Sequence, residues 1–135
     1  MPGVLVDASG LIALLDRDDA AHDRCVEALK QVREPLSTVW PALTEAMHLL
    51  AETPRATGTL CDMVSDEALL LVDLEAADLS RLKALMQKYR DLPMDVADAA
   101  LVCAAEREHI TRILTLDSHF SIYRLPRRAR FAVLP

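Results

Sequence analysis

The sequence predicts a single-domain, three-layer α/β/α sandwich built on a mostly parallel five-stranded sheet. Three observations predict it. Short apolar runs of strand length alternate with longer stretches of helical periodicity, an alternation that implies crossover connections between parallel strands. From Val96 to Ala105 every residue is apolar except Asp98, and a helix apolar on nearly all sides belongs in a core. The length of 135 residues, 52% hydrophobic and 27% charged, suits one domain with one substantial core.

Taken in order, Val4 to Val6 is an apolar strand ending at Asp7, and Ala8-Ser9-Gly10 breaks it. The pattern turns helical from Leu11 to Leu15 and continues amphipathic from Arg17 to Glu34, with Ala21, Cys25, Ala28, Leu29 and Val32 at helical spacing. Glu34-Pro35 closes that helix, and Leu36 to Val39 is a second strand. Pro41 starts a third helix running to Glu52, with Leu43, Met47 and Leu50 as its buried stripe and Trp40 packed where it begins. Thr53-Pro54 opens a shorter helix to about Val64. The run Ala68 to Leu74 is a third strand, apolar enough to sit inside a sheet covered on both faces. Leu74 to Arg90 is amphipathic, with Leu79, Leu82, Leu85, Met86 and Tyr89 spaced for burial. Leu92 to Glu106 is the central helix, with Pro93 in its first turn. Ile113 to Leu116 is a fourth strand ending at Asp117, and Phe131 to Leu134 a fifth, at an edge.

Composition narrows the function classes. A formal net charge of −6 argues against holding nucleic acid mainly by a basic surface. An acidic protein acting on a polyanion needs a cation in its site or a locally basic strip. The start MPGVLVDAS has no basic segment before its apolar one, so it is not a secretory signal, and no apolar run is long enough to cross a bilayer. Cys25, Cys61 and Cys103 are odd in number and form no CxxC; they read as small core residues of a cytoplasmic protein. With Gly3, Gly10 and Gly58 the only glycines, a Walker loop and a dinucleotide fingerprint are excluded. Of the four histidines, His22, His48 and His109 fall on helices or a helix end, and none pairs with a Ser or Cys as a nucleophile.

The acids carry the chemistry. Asp7 and Asp117 each follow a strand, where a side chain reaches the open edge of a parallel sheet or, equally, caps the next helix. Glu45 lies one turn into the third helix, where a solvated surface acid is the ordinary alternative. Asp98 lies deep in the apolar run of the central helix, and Asp95 three residues earlier projects from the same face. Asp7, Glu45, Asp98 and Asp117 all fall at a helix start or a strand end, on what should be one side of the sheet. Four carboxylates in one cleft repel by several kcal/mol unless protons, bases or metal relieve them. No Lys or Arg neighbours Asp7, Glu45 or Asp98 in the sequence. Oxygen-only ligands with open positions suit Mg2+ or Mn2+, which activates water and neutralises a phosphate under attack.

The segments VLVDASGLIALLD, PALTEAMHLL, LPMDVADAALVCAAE and ILTLDSHFSIYR, in that order, cover nearly the whole chain. Through them the sequence resembles the PIN-domain ribonucleases, and within them the VapC-type toxins of prokaryotic toxin–antitoxin modules. The resemblance places the four family acids on Asp7, Glu45, Asp98 and Asp117, and orienting hydroxyls on Ser9 and Thr115. Asp95 matches an accessory acid present in part of the family. What it implies is an endoribonuclease using Mg2+ or Mn2+ and leaving a 3′-hydroxyl and a 5′-phosphate. Asp7 and Asp98 are the expected direct metal ligands, with Asp117 completing the set or reaching it through water and Glu45 orienting and deprotonating the nucleophile. It also implies a homodimer and a VapB-like antitoxin whose C-terminal segment crosses the cleft, with an Arg entering the acids and an apolar groove between Leu11 and Glu67. The alternative is a silent PIN-like binding module whose acids are occupied by a partner's Arg. A phosphoacceptor receiver domain needs an acid pair after the first strand and a late Lys, and neither is present.

YRLPRRARF is the dense basic patch of the sequence. Arg124, Arg127 and Arg128 are expected to contact RNA phosphates close to Asp117, with His119 beside them; a solvated edge is the plain alternative.

Overall fold

The computed structural model describes residues 3–135. Five parallel strands, β1 (Val4–Val6), β2 (Leu36–Thr38), β3 (Leu70–Leu71), β4 (Arg112–Leu114) and β5 (Ala132–Leu134), form one sheet in the order β3-β2-β1-β4-β5. Six helices cover it: α1 (Ala8–Leu15), α2 (His22–Lys30), α3 (Trp40–Leu49), α4 (Pro54–Ser65), α5 (Leu79–Lys88) and α6 (Val96–Glu108). The fold is the expected three-layer α/β/α sandwich.

Alternation along the strands separates two cores. Val4, Val6 and Leu114 join Leu11, Cys25, Leu43 and Leu60 on the α1–α4 side. Leu5 and Ile113 join Leu82, Leu85, Leu101, Phe120 and Tyr123 on the α5–α6 side. Successive side chains of a strand point to opposite faces, so three-residue strands suffice to divide the layers. The chain builds outward from β1 through β2 to β3, then returns to lay β4 on the other flank of β1. The carboxyl ends of β1 and β4 are therefore adjacent where strand order reverses, the place at which sheets of this kind bind ligands.

Several expectations shift. The third strand shrinks to two residues at the sheet edge, and Leu70 is exposed rather than buried on both faces. The rest of its apolar run packs individually, Leu69 into one core and Val72 and Leu74 against the other. α1 begins at Ala8, because Asp7 caps it and Ala8-Ser9-Gly10 forms its first turn instead of a break. α2 begins only at His22, after Asp16 and Asp19 have accepted backbone N–H groups in local turns. α6 begins at Val96 with Asp95 as its cap, so Pro93 lies before it. A 3-10 turn, Ala76–Asp78, precedes α5, and Leu79 at the junction is 61% exposed. Trp40 is 57% exposed rather than packed, and Cys61 lies on the surface of α4 rather than in a core.

Two short 3-10 turns, Ser118–Ser121 and Pro126–Arg128, follow β4. In the second, Arg127 and Arg128 hold φ of 61° and 60°. Residues with a Cβ pay roughly 1–2 kcal/mol each in that left-handed region.

Gly10 fixes how closely α1 lies against the sheet. A Cβ there would stand 2.6 Å from the Leu114 carbonyl oxygen and 2.7 Å from Val6 Cγ2. Backbone of β4 cannot yield without opening the β1–β4 junction. Gly10→Ala is expected to lower unfolding free energy by about 1–3 kcal/mol, as overpacking does, measured by urea denaturation. A stability gain from improved helix propensity would mean α1 sits farther from the sheet than described.

Candidate active site

The acids expected to converge do so. One cleft of about 260 Å3 is lined by Asp7, Glu45, Asp95, Asp98, Asp117 and His119, with Ser9 and Pro93 at its walls. No lysine or arginine lines it. It lies beyond the carboxyl ends of β1 and β4, among the starts of α1 and α6 and a face of α3.

Each acid is set by local backbone. Asp7 leaves β1 in extended conformation and caps α1, accepting the Gly10 N–H at 2.9 Å. It is 6% exposed, and two hydroxyls fill two of its remaining acceptor sites, leaving one on Oδ2. Ser9 Oγ donates to Asp7 Oδ1 at 2.7 Å, and Thr115 Oγ1 donates to Oδ2. Those hydroxyls reach across to the β4 end: Ser9 Oγ accepts the Leu116 N–H at 3.0 Å, and Thr115 Oγ1 accepts the Asp117 N–H at 3.0 Å. Ser9 and Thr115 thus both hydrogen-bond the Asp7 carboxylate, and they also tie the two strand ends together. Asp95 caps α6 by accepting the Asp98 N–H at 2.9 Å. Asp117 accepts the His119 N–H at 2.9 Å at the start of its 3-10 turn. Capping and cleft lining coincide in all three residues.

One partner is not legible in the chain. Tyr123 is fully buried, and its hydroxyl donates to Asp98 Oδ2 at 2.8 Å. Tyr89 and Phe120 grip its ring edge-on at centroid distances of 5.0 and 5.1 Å. The Tyr89 hydroxyl in turn accepts the Arg124 N–H at 2.9 Å. A tyrosine 25 residues from its aspartate carries no periodic signal; only folding pairs them.

Electrostatics follow from this crowding. The Asp98 carboxyl is raised to about 7, chiefly by desolvation, with the Tyr123 hydrogen bond opposing the shift and Asp95, Asp117 and Asp7 adding to it. Asp7 is raised chiefly by burial, against the lowering effect of Thr115, Ser9 and the Gly10 N–H. Glu45 is raised by partial burial and then by Asp95, Asp7 and Asp117. Among the described residues, donor atoms of Asp98, Asp117 and His119 lie within 4.8 Å of one another, a spacing a single cation can bridge. His119 Nδ1 is 3.5 Å from Asp117 Oδ1. The histidine expected beside RNA phosphate therefore stands among the candidate metal ligands. Arg124, Arg127 and Arg128 do not line this cleft. Arg124 Nη1 donates to the carbonyl oxygens of Ser121, Ile122 and Tyr123, and all three arginines line a separate surface.

A parallel α/β sheet whose switch point opens on carboxylates that no lysine or arginine faces is an arrangement suited to a divalent cation. The particular family is given by comparison. Residues 4–125 match the PIN domain, and the chain belongs to that family. Over 135 residues it is 29% identical to ribonuclease VapC26 of Mycobacterium tuberculosis (strain ATCC 25618 / H37Rv), an alignment covering 98% of this chain and all of that one. Its fold matches the crystal structure of VapC20 of Mycobacterium tuberculosis, a sarcin-ricin loop cleaving toxin, with a TM-score of 0.82. That match has 17% identity and covers 89% of this chain and 94% of the other. The structure of PAE2754 from Pyrobaculum aerophilum matches with a TM-score of 0.57 and 22% identity, covering 90% of this chain and 84% of that one.

The raised carboxyl makes the metal-free protein pH-sensitive. Asp98 titrates near 7 when folded and near its ordinary 3.8 when unfolded. Below the lower value both states hold the proton and the group contributes nothing. As pH rises between the two, the unfolded chain ionises first and folding stability falls, the loss being complete above about pH 7. The melting temperature of metal-free protein is expected to drop across this window, and Asp98→Asn to flatten the drop. An equally steep drop in the variant would place the responsible group elsewhere.

Proposed function

We propose that this chain is a Mg2+- or Mn2+-dependent endoribonuclease and the toxin of a VapBC-type pair. One observation carries the reading: five carboxylates share a cleft that no lysine or arginine lines. Two like charges about 4.8 Å apart repel by about 3 kcal/mol at an effective dielectric of about 20, so the set calls for external positive charge. Kinship to ribonuclease VapC26 supports RNA as the polyanion and a VapB-like antitoxin as the partner.

Asp98, Asp117 and His119, whose donor atoms lie within 4.8 Å of one another, would hold the ion, and Asp7, which lines the same cleft, would complete the set. When bound, Mg2+ or Mn2+ supplies a water of lowered pKa and neutralises charge on the phosphate. The chain's own residues do the rest. Ser9 and Thr115 lock the Asp7 carboxylate in one orientation, and Tyr123 leaves Asp98 Oδ1 free to face the cleft while holding Oδ2. Glu45, more exposed than Asp7 and with a raised affinity for protons, would accept the proton of the attacking water. Asp95 caps α6 and adds negative charge without being required as a ligand.

The antitoxin would enter by the groove between the α1–α2 connection and α4, where Leu14, Leu15 and Ala56 are joined by the charged Asp16, Arg17, Asp18 and Arg55, so the groove is less apolar than the sequence suggested. An arginine from it reaching the acids would replace the ion's charge and silence the site. The homodimer that the family resemblance implies belongs to the same reading. Among the described residues no helix is long and apolar enough to cross a membrane. The RNA acted on would be that of the cytoplasm.

Total RNA incubated with the protein is expected to be cut in Mn2+ and left intact in EDTA. Asp7→Asn keeps side-chain volume and capping ability while removing one charge, and should cut cleavage by roughly a hundredfold or more, since even outer partners of a metal cost about 10–100-fold. Full activity of Asp7→Asn would reject the assignment. RNA left whole by wild-type protein in Mn2+ would favour a binding module held by a partner's Arg.

A further inference from the structure

Beside the acidic cleft the fold builds a basic one. Arg81 and Lys88 of α5 converge with Arg124, Arg127 and Arg128 of the segment after β4, and no carboxylate lines the space between them. Sequence shows only the arginine cluster between Tyr123 and Phe131; the two cations from α5 are added by packing. Arg81 is paired with Glu106, its Nη2 2.6 Å from Oε1, and Arg124 Nη1 is turned onto backbone carbonyls, which leaves Lys88, Arg127 and Arg128 facing no acid among the lining residues. In a chain of net charge −6 this is a concentrated exception.

The arginine loop is braced. Arg124 and Arg130 pair across it, the Leu125 N–H donates to the Ala129 carbonyl at 2.8 Å, and Leu125 is buried beneath. Arg127 and Arg128 nevertheless both occupy the left-handed region, where glycine or asparagine is the unstrained choice. Both are exposed, so burial does not explain why arginine stands there. Strain of this kind persists where a side chain is needed, ligand clamps included.

Position and dimensions indicate the ligand. Lys88 ends α5 and Tyr89 follows, accepting the Arg124 N–H; Tyr123, next to Arg124, braces Asp98. The basic cleft therefore begins where the support of the acidic one ends. Arg81 and Lys88 lie about seven residues apart on α5, roughly 10 Å at the helical rise. Cations spread over that length suit several phosphates rather than one. Guanidinium forks bind phosphate oxygens in pairs, and no aromatic ring lines the space to stack a base.

We propose that this cleft is a phosphate-binding subsite that grips the RNA backbone away from the bond being cut, with little regard to sequence. It rests on the ribonuclease reading, and extends it to a second surface that reads strand length and path.

Binding is measured by fluorescence anisotropy across a salt series in Mg2+, on Asp7→Asn protein so that RNA stays whole. A long single-stranded RNA and a short oligonucleotide serve as probes. Adding Lys88→Ala, Arg127→Ala and Arg128→Ala is expected to reduce the slope of log affinity against log salt by about 0.7 for each phosphate no longer gripped. Affinity for the long RNA should fall at least about tenfold, with a smaller loss for the oligonucleotide. A second variant, Arg127→Gly with Arg128→Gly, relieves the backbone; it should melt no lower than its parent yet show the same kind of slope loss. Unchanged slopes in both variants, with a parent that binds RNA, overturn the subsite alone. A parent that binds no RNA, together with wild-type protein that cuts none, overturns the ribonuclease reading and the subsite with it. Polyglutamate that binds the parent more tightly than the long RNA does, and loses that binding in the variants, would instead assign the cleft to an acidic protein segment.

Discussion

Like-charge crowding at the junction of β1 and β4 is the constraint around which this protein is arranged. Folding carries Asp7, Glu45, Asp95, Asp98 and Asp117 to one cleft from distant parts of the chain. Burial raises the proton affinity of Asp7 and Asp98, and mutual repulsion adds to it. The surroundings answer with hydrogen-bond donors rather than countercharges: two hydroxyls and an N–H on Asp7, a phenol on Asp98, backbone N–H groups on Asp95 and Asp117. Donors of that kind orient carboxylates without neutralising them. The cleft is thus kept ordered and electrostatically unsatisfied, the condition under which a cation binds tightly and a phosphate can follow it.

The aromatic group of Tyr89, Phe120 and Tyr123 explains how such a cleft stays in register. It fills the space between α5, α6 and the turn after β4, and touches both charged surfaces. On one side a phenol holds Asp98; on the other a phenol holds the Arg124 backbone. An acidic protein that handles RNA must keep attraction and chemistry close but unmixed, since an arginine within the acid set would take the ion's place. A rigid wall of rings meets that need.

Much of this is readable in the chain itself. The layer order, the sheet's direction and the convergence of the four main acids follow from alternation of strand and helix and from where acids fall within it. The errors share a cause. Leu70, Leu79 and Trp40 are apolar residues whose periodicity fits burial, but they occupy an edge or a junction where the fold has no neighbour to offer. α1 and α6 start where a capping acid sits, not where apolar periodicity begins or a proline stands. Tyr123, and the company Arg81 and Lys88 keep with the arginine loop, depend on meetings between distant segments, which no local pattern records.

Because Asp7, Asp95 and Asp117 each hold a backbone end as well as line the cleft, chemistry and architecture cannot drift apart freely. A cap removed outright costs about 1 kcal/mol, whereas asparagine, serine or threonine would retain the cap and drop the charge. Descendants of this chain that abandon turnover should therefore carry small polar residues at those positions rather than alanine or larger apolar ones. A lineage would leave the outline of its former chemistry written in its helix starts.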